Sequence, residues 1–280
     1  MTERLMNLDR RIIFVFVFLG VLISLLVEFS FPIKATSTVR SIYREVERVA
    51  DEGGPVLLAF NYGPGSEPEL QPMALALLRH LFSRDIKVVV VCLWPDAPGL
   101  AKQALDTTAE EFNKVYGVDY AFMGYKPGAA IVVINMGQDF QSAFPRDVGG
   151  ARADSLKVTR DIRTLRDFSF VFDLAAGSSV DEWWIPYGQE KYKFPFGAGC
   201  TAVMAPDLFP YLQSKQLVGL IGGLAGAAEY ESLVKHAGTA TTGMRPQSVT
   251  HVVIVMFIVL GNVMYFLSRR SDGPAGGDGV

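Results

Sequence analysis

Cysteine and histidine are scarce in this chain, at two and three of 280 residues, and that scarcity removes several chemistries at once. Cys92 and Cys200 both fall in apolar, strand-like runs, where a buried reduced thiol is the ordinary outcome. Two cysteines make no disulfide framework in a chain long enough to build its own core. His80, His236 and His251 are too scattered to form a zinc site with them. A nucleophilic thiol needs a neighbouring base. His80 reads as interior to a helix and His251 as part of an apolar segment, so Cys200 has no evident partner.

Other signatures are missing too. Gly63-Pro64-Gly65 lacks the G-x-G-x-x-G spacing of a dinucleotide fingerprint, and Glu67 would repel a pyrophosphate. There is no P-loop. The formal net charge is -3, and no basic stripe interleaved with aromatics suggests nucleic acid as a partner. No tandem repeat or low-complexity linker is visible apart from the small, polar end SDGPAGGDGV, which has nothing to bury. No catalytic constellation can be nominated, so the chain reads as leaning away from an enzyme.

What is present is a pair of apolar segments framing a polar middle. Residues 12–31 (IIFVFVFLGVLISLLVEFSF) and 249–267 (VTHVVIVMFIVLGNVMYFL) are each about twenty residues long, enough to cross a bilayer as a helix. Glu28 lies near the far end of the first, where a carboxylate can reach the headgroups. Arg4, Arg10 and Arg11 precede it like the basic leader of a signal peptide, but the exit Phe31-Pro32-Ile33-Lys34 has no small-residue cleavage pattern. Retention as an anchor is therefore expected. In the second segment Asn262 beside Gly261 predicts close helix packing, on the first anchor or on another protein.

The expected organisation is a polar tail over 1–11, transmembrane helices over 12–31 and 249–267, a soluble domain over 32–248, and a disordered tail over 268–280. Arg269 and Arg270 follow the second segment as Arg10 and Arg11 precede the first, which favours cytoplasmic tails and an extracytoplasmic domain. Lys34, Arg40, Arg44, Lys235 and Arg245 lie on the domain side, but a domain this long is largely exempt from the charge rule.

Periodicity within the domain predicts an α/β three-layer sandwich with a mostly parallel sheet. Thr36–Asp51 places Val39, Ile42, Val46 and Val49 at helical spacing. The runs Pro55–Asn61, Ile86–Trp94, Tyr120–Tyr125, Ala129–Asn135, Phe168–Ala175 and Gly197–Met204 read as strands, several apolar on both faces as parallel strands are. Helical patterns lie between them, over Leu70–Leu81 and Leu100–Tyr116. Ser66 with Glu69 fits a capping box. Pro206–Gln216 reads as a proline-broken approach, and His236–Ser248 as a small-residue linker.

In an open parallel sheet, ligands sit beyond the carboxyl ends of the strands. The loops there carry Glu67, Glu69, Asp96, Asp139, Asp173 and Asp181, an acidic rim that could hold a divalent cation such as Mg²⁺ or Ca²⁺, or a cationic ligand. Most of these acids also have local explanations, in helix first turns or tight turns. Asp173 does not, because it ends an apolar strand, where a carboxylate needs a partner. Separately, Leu217–Ala228 (LVGLIGGLAGAA) places Gly219, Gly222, Gly223 and Gly226 at helical intervals. That spacing predicts a smooth helix face for packing on the sheet or on a second subunit.

Three functions follow. The favoured one is a membrane-anchored α/β module that helps assemble a membrane complex, as a homo-oligomer or with other membrane proteins. The others are a ligand- or metal-binding sensor using the acidic rim, and a membrane-tethered hydrolase or transferase.

Overall fold

The computed structural model describes residues 10–26 and 33–271. In chain order the elements are α1 (Arg10–Leu26), α2 (Ser37–Glu52), β1 (Val56–Asn61), α3 (Glu67–Ser83), β2 (Val88–Cys92), α4 (Ala97–Glu111), β3 (Tyr120–Tyr125), α5 (Ala130–Gln138), the single-turn α6 (Phe140–Ala143) and β4 (Phe170–Ala175). A π-helix over Ser179–Gln189 follows. Then come β5 (Phe196–Cys200), α7 (Ala205–Gln213), β6 (Gly219–Gly222), α8 (Gly223–Leu233) and α9 (Thr239–Ser271). The chain divides into two compact units, one of the terminal segments and one spanning Ile33–Thr242.

The larger unit is an α/β domain around a six-stranded sheet in the order β3-β2-β1-β4-β5-β6, with every pairing parallel. Alternation of side chains sends Leu57, Ala59, Val89, Val91, Val171 and Ala198 to one face, where they pack against α5, α6, the π-helix and α7. Helices α2, α3, α4 and α8 cover the other face, so β1, β2 and β4 are buried along their whole length. Both-sided burial is why these strands read as continuous apolar runs.

Four expectations are corrected. Ala129–Asn135 is not a strand: the chain turns at Gly128 and Ala129, both at positive φ, and enters α5, which buries Val132, Val133 and Met136 at helical spacing. Leu217–Ala228 is not one helix. Gly219 and Gly222 belong to β6, and Gly223 and Gly226 to α8, so no single helical face carries the four glycines. Their small size serves the domain interior: a Cβ on Gly219 would lie 2.6 Å from the Thr38 carbonyl oxygen and 2.8 Å from Ile42. Pro206–Gln216 is largely helical as α7, since Pro206 sits in the first turn, where a missing N–H is harmless. The linker over 236–248 is mostly the start of α9.

Both ends of the domain are fastened to α8. The Glu229 carboxylate accepts from the Thr36 N–H (2.8 Å) and hydroxyl (2.7 Å) ahead of α2. Two residues on, the buried Glu231 accepts from the Gly238 (2.9 Å), Ala240 (3.0 Å) and Thr241 (2.8 Å) N–H groups and from the Thr241 hydroxyl (2.6 Å). These are donors that the first turn of α9 leaves without intrahelical partners, and a carboxylate there also suits the helix dipole. Between the two acids, Tyr230 bonds the His80 Nδ1 of α3 (2.8 Å), whose Nε2 donates to Glu47 of α2 (2.7 Å). A carboxylate can only accept, so the proton sits on Nε2 and the Tyr230 hydroxyl donates to Nδ1. Burial, chiefly, holds His80 below its ordinary range and keeps it neutral.

Among the described residues, one helix is long and apolar enough to cross a membrane, over Thr239–Phe266, where two were expected. α1 has 17 described residues, spanning ~26 Å at 1.5 Å per residue, short of the ~30 Å hydrocarbon core. The remainder of the expected first anchor, including Glu28, lies outside the described residues, as does most of the expected disordered tail; Ser268–Ser271 of that tail are helical. Within the terminal unit, Phe16 meets Phe257 edge-on at 5.9 Å, and a Cβ on Gly20 would lie 3.3 Å from Val249. That contact does not use Gly261, which has nothing within 4 Å of its would-be Cβ. Nor does it use Asn262, which donates to Ile258 O in its own helix (2.9 Å).

Because the Thr38 oxygen is backbone and cannot swing away, Gly219→Ala is expected to cost about 1–3 kcal/mol of stability through overpacking. Chemical denaturation of the variant beside wild type measures it, and an unchanged midpoint would contradict the close approach.

Candidate functional site

The strand order reverses between β1 and β4, which are adjacent in the sheet though far apart in sequence. That junction is where open α/β sheets form a crevice. Asp173 of β4 lies there, fully buried. Its Oδ1 accepts from Asn61 Nδ2 at the end of β1 (2.6 Å), and its Oδ2 accepts from the Ser179 hydroxyl opening the π-helix (2.6 Å). Asn61 Oδ1 in turn accepts from the Leu93 N–H just past β2 (3.0 Å). This last bond orients the amide, so its NH₂ must face the carboxylate. Burial pushes Asp173 up to about 7, against the lowering effect of Ser179 and Asn61.

The loops after β1, β2 and β4 pack closely on one another. A Cβ on Gly177 would stand 3.1 Å from the Trp94 ring, and one on Gly63 would stand 3.1 Å from the Asp96 Cβ. The Tyr62 hydroxyl donates to Gln71 Oε1 (2.5 Å), whose Nε2 donates to Leu100 O (3.1 Å). Tyr62 and Gln71, like Asn61 and Asp173, are thus turned onto other parts of the same domain.

The six acids of the expected rim have separate fates. Glu69 is not half of a capping box: Ser66 makes no side-chain cap, and Glu69 Oε2 accepts from the Ala202 N–H (2.8 Å), tying α3 to the loop after β5. Glu67 occupies the first turn of α3 beside it. Asp96 lies against Gly63. Asp181 is in the first turn of the π-helix, half-buried. Asp139 leaves the rim altogether, because the expected strand before it is α5. It caps α6 by accepting from the Gln141 and Ser142 N–H groups, both at 3.1 Å. No three histidine, cysteine, aspartate or glutamate side chains come together in a metal-holding group among the described residues.

Cys200 is buried at the end of β5. Burial first, then the charges of Glu69 and Asp173, push its thiol up to about 12, so it stays protonated and unreactive at neutral pH. Burial raises the Cys92 thiol as well. Sequence reasoning singled out Asp173 but not Asn61 or Ser179, whose role comes only from the pairing of β1 with β4 and from the turn after β4. The one available signal was that Asn61 is a polar residue closing an otherwise apolar strand.

No family model, no curated protein and no solved structure matches this chain.

Asp173 is bound to its proton more tightly in the folded domain than in the unfolded chain, where the ordinary value is 3.8. Its contribution is therefore fully present below about pH 4 and is lost as pH rises through about 7, at ~1.4 kcal/mol per pH unit across that window. Asp173→Asn keeps an acceptor for Asn61 and offers an N–H to Ser179. The variant is expected to melt higher than wild type at pH 8 and to lose most of the decline between pH 5 and 8. Thermal melts of both proteins across that range provide the check; parallel curves would mean that Asp173 is ionised in the folded state.

Proposed function

We propose that this chain is a membrane-anchored α/β module that works by assembly, with copies of itself or with other membrane proteins, rather than by turning over a substrate. The observation that carries this reading is the apolar surface around α7. Of its nine residues only Leu208 is buried, while Phe209 is 48 % and the preceding Val203 84 % exposed. Pro206 and Pro210 are exposed on the same short helix, and Asp207 is its one charge. Exposed apolar side chains gathered on one short segment mark interaction sites more often than scattered single ones do.

The crevice favours the same reading. Asp173, Asn61 and Glu69 are satisfied within the domain, and both thiols are buried, so these five groups are engaged by the fold itself. In this proposal both apolar terminal segments are anchors, the basic residues Arg4, Arg10, Arg11, Arg269 and Arg270 keep both tails cytoplasmic, and the domain lies on the opposite side.

The full-length protein in mild detergent is expected to run as a defined oligomer or with a co-purifying protein in native mass spectrometry. The double variant Val203→Asp/Phe209→Asp, whose changes are both at exposed positions, should fold with an unchanged circular dichroism spectrum and lose that association at least tenfold. A monomeric wild type, or assembly unaffected by the double variant, would overturn the proposal.

A further inference from the structure

The long crossover from α5 to β4 has little regular structure, yet it is tightly held. The Phe140 N–H donates to Arg163 O (2.6 Å), and Gln141 Nε2 donates to Arg160 O (3.1 Å). The buried Thr159 hydroxyl donates to Ala153 O (2.6 Å), and Asp147 accepts from both the Ala151 N–H (2.8 Å) and the Tyr116 hydroxyl (2.8 Å). This framework shapes an open cleft of about 480 Å³, whose charged lining is Arg146, Arg152 and Arg163 with Asp139 and Asp154.

The two acids are already engaged. Asp154 is forked by Arg152, through Nε (3.0 Å) and Nη2 (2.5 Å). Asp139 is occupied by the Ser142 hydroxyl (2.5 Å) and by two backbone N–H groups. Arg146 spends one N–H on Gly150 O (2.7 Å). Arg163 differs from all of these. Its backbone is pinned on both sides, by Asp167 on its N–H (2.8 Å) and by Phe140 on its carbonyl. Its guanidinium makes no hydrogen bond or ion pair among the described residues, although its charge reaches both Asp139 and Asp154.

The geometry points to a small-oxyanion site in this cleft, with Arg163 as the principal donor and the spare N–H groups of Arg146 beside it. A planar guanidinium offers paired donors at the spacing of two oxygens of a phosphate or a carboxylate. Because the backbone of Arg163 is fixed on both sides, binding has only the side chain itself left to order. The ligand is thus a small molecule bearing a phosphate or carboxylate group. The site lies on residues apart from those of the assembly surface, so either proposal can fail without the other.

The test is isothermal titration of the full-length protein in detergent with inorganic phosphate and, separately, with succinate, at constant ionic strength set by chloride. Saturable binding of one of them is expected, weakened at least tenfold in Arg163→Gln and several-fold in Arg146→Gln. Arg160→Gln, an exposed arginine outside the cleft lining that faces Asp161, should bind like wild type. The preferred anion distinguishes a phosphate from a carboxylate ligand. Absence of saturation by either anion, or equal weakening in Arg163→Gln and Arg160→Gln, would overturn the site.

Discussion

The constraint on which this domain rests is the junction of β1 with β4, where two halves of the sheet separated by more than a hundred residues of chain are held in register. A buried carboxylate secures it. Asp173 takes one donor from β1 and one from the segment after β4, and the same Asn61 that serves it also receives the chain leaving β2. Three strand ends are thereby fixed by two side chains. A buried acid without those donors would cost several kcal/mol; with them it is tolerable, and it specifies which strands meet. The glycines around it work in the same direction, since Trp94 and Asp96 pack where a Cβ on Gly177 or Gly63 would stand.

From that junction the rest of the architecture follows to α8. This helix returns from β6 across the face that holds α2 and α3, and three consecutive residues give it its role. Tyr230 is locked into the core through His80 and Glu47, while Glu229 and Glu231 hold the backbone on either side of the domain. The acids sit at successive odd positions around a buried tyrosine, so one turn of helix reaches inward and toward both chain ends. The first donors of α9 are consequently capped by the domain rather than by water. The α9 donors capped by Glu231 and the exposed Phe209 of α7 lie on elements that flank β6 on either side in the chain.

Much of the sheet was legible beforehand, for physical reasons. Pro55–Asn61, Tyr120–Tyr125 and Phe168–Ala175 are apolar on both faces because helices cover both sides, and that pattern survives in a single sequence. Ala129–Asn135 was misread because a short apolar run fits a buried strand and a buried helix equally well, and only the positive φ values at Gly128 and Ala129 decide it. The glycines of Leu217–Ala228 were misread because three- and four-residue spacing resembles a helix face. Their actual cause is the nearness of Thr38 and Ile42 to Gly219, and of Ala205 to Gly222. Asp173 could be singled out as an acid lacking a local explanation, but no pattern along the chain names Asn61 or Ser179 as its partners.

The sequence by itself determined what depends on periodicity and composition: the α/β alternation, the parallel sheet and an apolar C-terminal helix long enough to span a bilayer. Tertiary structure decided everything that depends on residues distant in the chain meeting one another. It gave three acids of the expected rim, Glu69, Asp139 and Asp173, hydrogen-bond donors of their own within the domain. It turned a supposed glycine face into close packing beside β6, and it gathered three arginines of an irregular crossover around one cleft. Local pattern encodes which face of an element is apolar; it carries no record of which two elements will be neighbours.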